Sequence, residues 1–194
     1  MGRRQEALEQ TRDRVTQAAF ELHSTVGPAQ ASISAIADRA GVQRHTVYSH
    51  FPNMESLIEA CTEHGMRVSA LPDPAAWSAI ADPGQRLERG LMELYAYYRS
   101  NARLLGNVVR DMAVMPELVT GSRRFIAALE KIGEALATGW TVRPGRHHML
   151  GAALGHAVSF GTWQSLAGFG LSDGEATALM VSLVESTAGG ARLS

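Results

Sequence analysis

The sequence predicts an all-α protein. Three observations carry that reading. Apolar residues recur at three- and four-residue spacing along nearly all of the 194 residues. Runs rich in Val, Ile and Thr with period-two alternation, the mark of strands, do not occur. Gly, Pro, Asn and Ser fall between the periodic stretches, where helix caps belong. A chain of this length holds one domain or two small ones and can bury a core without staples. Its 45% hydrophobic and 19% charged residues fit a globular protein.

Leu8, Val15, Ala18, Ala19, Leu22 and Val26 form the first helical stripe, which Gly27-Pro28 stops. Ile33, Ile36, Ala37 and Ala40 define a short second helix, with Ser32 as N-cap and Gly41 as a left-handed C-cap. A third runs from Arg44 to His50 and is broken by Phe51-Pro52-Asn53. Asn53 caps a fourth, which carries Leu57, Ile58, Cys61 and Val68.

Residues 71–84 hold three of the seven prolines and mark the expected boundary, giving domains at 1–70 and 71–194. Asp82-Pro83-Gly84-Gln85 opens the next helix, with Leu87, Leu91, Leu94 and Tyr98 in register. A shorter helix follows through Leu104, Leu105, Val108, Val109 and Met112. Pro116 is expected to open one continuous helix through Leu118, Ser122, Phe125, Leu129, Ile132 and Leu136. From Arg146 to Ala167 apolar residues cover nearly every side, so a single helix buried from several directions is expected. Ser172-Asp173-Gly174-Glu175 is a capping box for the last helix, with Leu179, Met180, Leu183 and Val184.

Eighteen basic residues against 19 acidic ones give a net charge of −1, which excludes a polybasic binder. Lys131 is the only lysine; the other basic residues are arginines. The single cysteine, Cys61, excludes a disulfide scaffold and a cysteine-rich zinc site. No apolar run approaches the ~20 residues that span a bilayer. The N-terminus lacks the apolar segment of a signal peptide, and Glu6 disqualifies Gly2 as a myristoylation site. A soluble, cytoplasmic protein with no membrane partner is expected.

The most specific segment is 33–52. Two short helices meet at a turn centred on Gly41, which supplies a positive φ. Ala37 is small where the helices must pack closely, and Ile36, Ala40, Val42 and Val47 fill the shared core. This is a helix-turn-helix, whose second helix enters the DNA major groove. Its exposed side offers Gln43, Arg44, His45, Thr46, Tyr48, Ser49 and His50, which include a guanine reader, an adenine reader and several phosphate donors.

Residues 11–60 resemble the DNA-binding domain of the TetR family of bacterial one-component transcriptional regulators. The resemblance rests on Ile36-Ala37-Asp38-Arg39-Ala40-Gly41-Val42, then Thr46-Val47-Tyr48-Ser49-His50-Phe51-Pro52-Asn53, then Leu57-Ile58. It implies a three-helix helix-turn-helix domain followed by a helical ligand-binding and dimerisation half. It implies DNA contacts from Ser34, Arg44, His45, Thr46, Tyr48 and His50, to which the exposed side of the motif's second helix adds Gln43. Many members carry a phosphate-binding lysine at the start of the fourth helix, where this chain has Met54. Arg3 and Arg4 are candidates to compensate as a flexible arm.

Against these stand blander readings: Tyr48 as core, His45 and His50 as solvated surface. Charge is locally modest as well. Residues 1–50 carry six arginines against five acids, and residues 51–70 carry Arg67 against Glu55, Glu59 and Glu63.

In the second half, Trp77, Tyr95, Asp111, Met112, Phe125, His156, Phe160 and Trp163 are candidates for an apolar pocket with few polar groups. His156 shares a helical face with Met149, Ala153, Phe160 and Trp163; a hydrogen-bonded core histidine is the competing reading. Gly151, Gly155, Val158 and Thr162 line the other side and permit close helix approach. With the last helix, that face is expected to form a homodimer.

His147, His148 and His156 are not spaced as a metal site, and no carboxylate or cysteine completes one. No catalytic motif stands out, so no enzyme, cofactor or metal is expected. The sequence therefore points to a ligand-responsive, sequence-specific DNA-binding regulator. The expected form is a homodimeric repressor that reads a near-palindromic operator and is released by a small apolar effector. The alternative is a helical dimeric binding or adaptor protein with a vestigial helix-turn-helix.

Overall fold

A computed structural model of the chain describes residues 2–189. Eleven α-helices and no strands occur among the described residues. The described residues fall into two compact units: those up to 70 with 101–126, and 71–100 with those from 127 on.

In the first unit, α1 (Arg3–Thr25) packs against α2 (Ile33–Ala40), α4 (Met54–Val68) and α6 (Ala102–Asp111). The short α3 (Arg44–His50) packs on α2 and α1. The apolar stripe of α1 begins at Val15, with Ala18 and Ala19 buried behind it; Leu8, which the sequence placed on that stripe, is exposed. Arg3 and Arg4 lie in the first turn of α1 and are exposed. They are helical, which overturns the expectation of a flexible arm.

Residues 101–126, which the sequence groups with the second half, pack within this first unit. Side chains of α6 explain why. A helix leaves its last carbonyls without intrahelical donors. At the end of α1 those carbonyls are met by α6. Asn107 Nδ2 donates to His23 at 3.0 Å and Ser24 at 3.3 Å, Arg103 to Thr25 at 2.9 Å and Arg110 to Val26 at 3.1 Å. These three residues recur at four- and three-residue spacing, so they form one stripe along α6. Asp111 completes the grip by accepting from the Ala29 N–H at 2.9 Å.

The helix expected to open at Pro116 is two helices, α7 (Glu117–Gly121) and α8 (Arg123–Ala137), separated at Ser122. Here α7 lies against α4 so closely that a Cβ on Gly121 would stand 2.7 Å from Ile58 and 3.1 Å from the Glu55 carbonyl.

The second unit is built on α5 (Pro83–Ser100), which buries Leu87, Leu91, Leu94, Tyr95 and Tyr98. Asp82 caps α5, accepting from the Gln85 N–H at 2.7 Å. Against it pack α10 (Phe160–Gly168) and α11 (Asp173–Gly189), and α11 also meets α9 (His147–Ala157). The capping box forms as read: the Ser172 N–H donates to Glu175 at 2.8 Å and the Glu175 N–H to Ser172 Oγ at 3.3 Å.

The single helix expected over 146–167 is broken at Val158–Ser159. The carbonyls freed there are taken by tyrosine hydroxyls from α5, Tyr95 to Ala157 at 2.7 Å and Tyr98 to Val158 at 2.6 Å. Burial pushes both phenols well above their ordinary pKa, so they remain protonated donors.

Candidate nucleic-acid interface

The reading surface is held by a small apolar core. Val15, Ala18, Ala19, Ile36, Ala37, Ala40, Val47, Phe51, Leu57 and Cys61 are buried together. Ala37 and Ala40 let α2 approach its neighbours closely, and Val47 anchors α3 from beneath. Ser32 caps α2, its hydroxyl accepting from the Ala35 N–H at 3.1 Å. Gly41 adopts φ 66°, and the Val42 N–H returns to the Ala37 carbonyl at 3.0 Å. That left-handed residue sets the turn between the two helices. Asn53 accepts from the Ser56 N–H at 2.9 Å and starts α4.

With Val47 buried, the opposite side of α3 is presented to solvent. Gln43, Arg44, His45 and Ser49 are exposed, and Thr46 and His50 are half-buried. Tyr48 is 50% exposed, so it stands outside the core. The Ser49 hydroxyl is turned back onto the helix, donating to the Thr46 and His45 carbonyls at 2.9 and 3.1 Å. Ser34 is half-buried in the first turn of α2. Met54 is partly buried and packs against the core, so it offers apolar contact where a basic residue would face outward.

Sequence reasoning passed over two arginines that orient these helices. Arg39 on α2 pairs with Glu21 on α1 at 2.6 Å, and this holds the Glu21 carboxyl below its ordinary pKa. Arg12 on α1 donates to the His50 carbonyl at 3.0 Å, and its guanidinium lies 4.3 Å from the centre of the Phe51 ring. The signal for Arg12 was available. It shares the face of α1 that carries the buried Val15 and Ala19, an odd place for an unpartnered cation.

Residues 15–61 match the family model described as bacterial regulatory proteins, tetR family. This N-terminal domain belongs to the TetR family. Over 78 residues the chain is 32% identical to the HTH-type transcriptional regulator SrpR of Pseudomonas putida, a stretch covering 37% of each protein. Solved structures extend the likeness to the fold of the whole chain. A TetR-like transcriptional regulator from Rhodococcus sp. RHA1 superposes with TM-score 0.63 at 20% identity, covering 93% of this chain and 97% of that one. NalD, the secondary repressor of the MexAB-OprM multidrug efflux pump in Pseudomonas aeruginosa, superposes with TM-score 0.62 at 21% identity, covering 94% and 97%.

The residues expected to line a ligand pocket are not gathered in either unit. Trp77, Tyr95, His156, Phe160 and Trp163 belong to the second unit; Asp111, Met112 and Phe125 belong to the first. Asp111 is 4% exposed and tied to backbone and to Arg110, whose guanidinium holds its carboxyl below the ordinary pKa.

Tyr95, Phe160 and Trp163 are buried, and Tyr98 packs edge-on against Phe160 with ring centres 5.4 Å apart. Trp163 donates to Asp173 at 2.9 Å, and Arg99 holds that carboxylate with two nitrogens at 2.7 and 2.8 Å. These aromatic groups are buried together. His156 is exposed, with Nδ1 3.1 Å from the Thr162 hydroxyl, because the helix break separates it from Phe160 and Trp163. Among the described residues no group of three or more His, Cys, Asp or Glu is placed to hold a metal, and no helix is long and apolar enough to cross a membrane.

Proposed function

We propose that the chain is a sequence-specific DNA-binding transcriptional regulator that acts in the cytoplasm. The observation that carries this reading is the outward face of α3, set on the rigid core of a TetR-type domain. Gln43, Arg44 and His45 read base edges at the N-terminal end of α3. Ser34, Thr46, Tyr48 and His50 contact backbone phosphates and neighbouring bases.

Two copies act together. Gly151 and Gly155 on α9 and Leu179 and Leu183 on α11 are exposed, and a Cβ on either glycine would meet nothing within 4 Å. That face suits a second copy, so that paired reading helices address a near-palindrome.

The regulator is a repressor, and a small apolar effector bound by the second unit releases it. Support comes from NalD, a repressor of a multidrug efflux pump with the same fold. The effector acts by population shift, favouring a dimer whose reading helices are spaced wrongly for two major grooves. Helix α4 leads along the chain into the second unit at Leu71 and serves as the lever.

The deciding experiment selects genomic DNA fragments bound by the full chain, then measures Arg44→Ala and Tyr48→Ala by gel shift at fixed salt. Each substitution is expected to weaken operator binding roughly 10- to 100-fold without unfolding the protein. Selection of no common sequence would instead support a helical adaptor with a vestigial helix-turn-helix.

A further inference from the structure

We propose that Arg12 is a positioning residue that sets the pose of the reading helix; the inference rests on the DNA-binding reading above. Helix α3 has seven residues, too few to be stable by itself. Its N-cap residue, Gln43, makes no side-chain cap bond. Beyond the burial of Val47 beneath it, its pose depends on what holds the other end.

At that end the Phe51 N–H closes onto the Val47 carbonyl at 2.9 Å, and the side chain of Arg12 reaches across from α1 to the His50 carbonyl at 3.0 Å. A cation at a helix C-terminus is favoured by the helix dipole. The same guanidinium is steadied by the Phe51 ring 4.3 Å away, and Phe51 is itself buried in the domain core. One planar group thus joins three things: the long helix α1, the last carbonyl of α3 and the aromatic residue that ends α3.

Specific and non-specific binding depend on this differently. Non-specific affinity follows the number of cations near phosphates and tolerates a tilted helix. Base reading by Gln43, Arg44 and His45 needs hydrogen-bond geometry held closely across several base pairs. If the C-terminal end of α3 is released, the helix can tilt about the buried Val47, and the specific term is the one that falls. Arg12→Lys separates these effects, because lysine keeps the charge and a donor but replaces the planar guanidinium, which faces the Phe51 ring and donates to His50 at once, with a single ammonium that cannot hold both contacts in that geometry.

The test uses the full chain and a DNA fragment selected by the wild-type protein. Affinity for that fragment and for a scrambled fragment of equal length is measured at several salt concentrations. Melting of each variant is followed in parallel. Arg12→Lys is expected to lower the specific-to-non-specific ratio at least 10-fold, with the salt slope and non-specific affinity unchanged. An unchanged ratio overturns the proposal. So does an equal loss of both affinities, which would make Arg12 a phosphate contact. If Arg12→Lys does not fold, Arg12→Gln is read by the same ratio. It removes the cation over Phe51 while leaving an amide donor in reach of the His50 carbonyl, and the ratio is expected to fall at least as far as in Arg12→Lys. If the wild-type chain selects no sequence, the DNA-binding reading itself fails, which is a different result from an unchanged ratio.

Discussion

The Tyr98 hydroxyl donates to the Val158 carbonyl at 2.6 Å, at the point where α9 ends and α10 begins. Tyr95 does the same for Ala157 one residue earlier. Together these phenols replace the hydrogen bonds that a continuous helix would have made. Tyr98→Phe keeps the ring against Phe160 and Trp163 and removes only the donor. A buried carbonyl left without a partner costs about 1–3 kcal/mol. Urea denaturation of Tyr95→Phe is expected to show that loss, and Tyr98→Phe, whose partner carbonyl is part-buried, a smaller one. Unchanged midpoints for both would mean that the break is held by packing alone.

The elements legible in the sequence are those set by near neighbours. Ser32, Gly41, Asn53, Asp82 and Ser172 cap their helices as read, because a cap is a matter of three or four residues. The outward face of α3 was legible for the same reason, since Val47 fixes which side is buried. What escaped reading was set from far along the chain. The break at Val158 depends on hydroxyls about 60 residues away. The break at Ser122 accompanies the approach of Gly121 to Ile58. Asp111 reads as a polar group in an apolar stretch, but its carboxylate accepts from the Ala29 N–H 82 residues back, a partner that local spacing does not reveal.

His23 gives the first unit a pH dependence. It is 4% exposed, its Nε2 has no hydrogen-bond partner, and burial lowers its pKa from 6.5 to about 4, although Asp111 opposes the shift. The folded protein therefore binds the His23 proton more weakly than the unfolded chain. Stability is full above pH 6.5 and falls as pH drops toward 4. Between pH 7 and pH 5 the expected loss is about 2 kcal/mol. Asp111, whose own pKa is lowered from 3.8, contributes at more acidic pH and leaves this window to His23. His23→Leu is expected to flatten the stability profile between pH 7 and pH 5. A profile as steep as the wild type in urea melts at the two pH values refutes the assignment.

Cys61 is expected to be chemically silent in the folded protein. It lies in the core of the first unit, its Sγ 3.7 Å from the Thr16 carbonyl oxygen, and burial pushes its thiol up to about 12. The thiolate is the reactive form, and almost none is present at neutral pH. Labelling with an aromatic disulfide reagent should proceed only as fast as the domain opens, and should accelerate in urea in step with unfolding. Rapid stoichiometric labelling of the native protein would show that Cys61 is reachable and reactive.

Two glycines in helices test the packing of residues 117–137 with opposite signs. A methyl group on Gly121 would stand 2.7 Å from Ile58 Cγ2, 2.8 Å from Ile58 Cβ and 3.1 Å from the Glu55 carbonyl oxygen. The last of these is backbone and the first two sit on a buried branched side chain, so none can yield cheaply. Gly121→Ala should cost about 1–3 kcal/mol, the range for overpacking a tight interface. Gly133 lies within α8, where an added Cβ meets nothing within 4 Å and the backbone is not left-handed. Gly133→Ala should therefore stabilise by roughly 0.5–1 kcal/mol, through helix propensity and reduced freedom of the unfolded chain. Thermal melts of the two variants against wild type settle the comparison. Equal shifts of the same sign would mean that α7 does not approach α4 as closely as the Gly121–Ile58 contact requires.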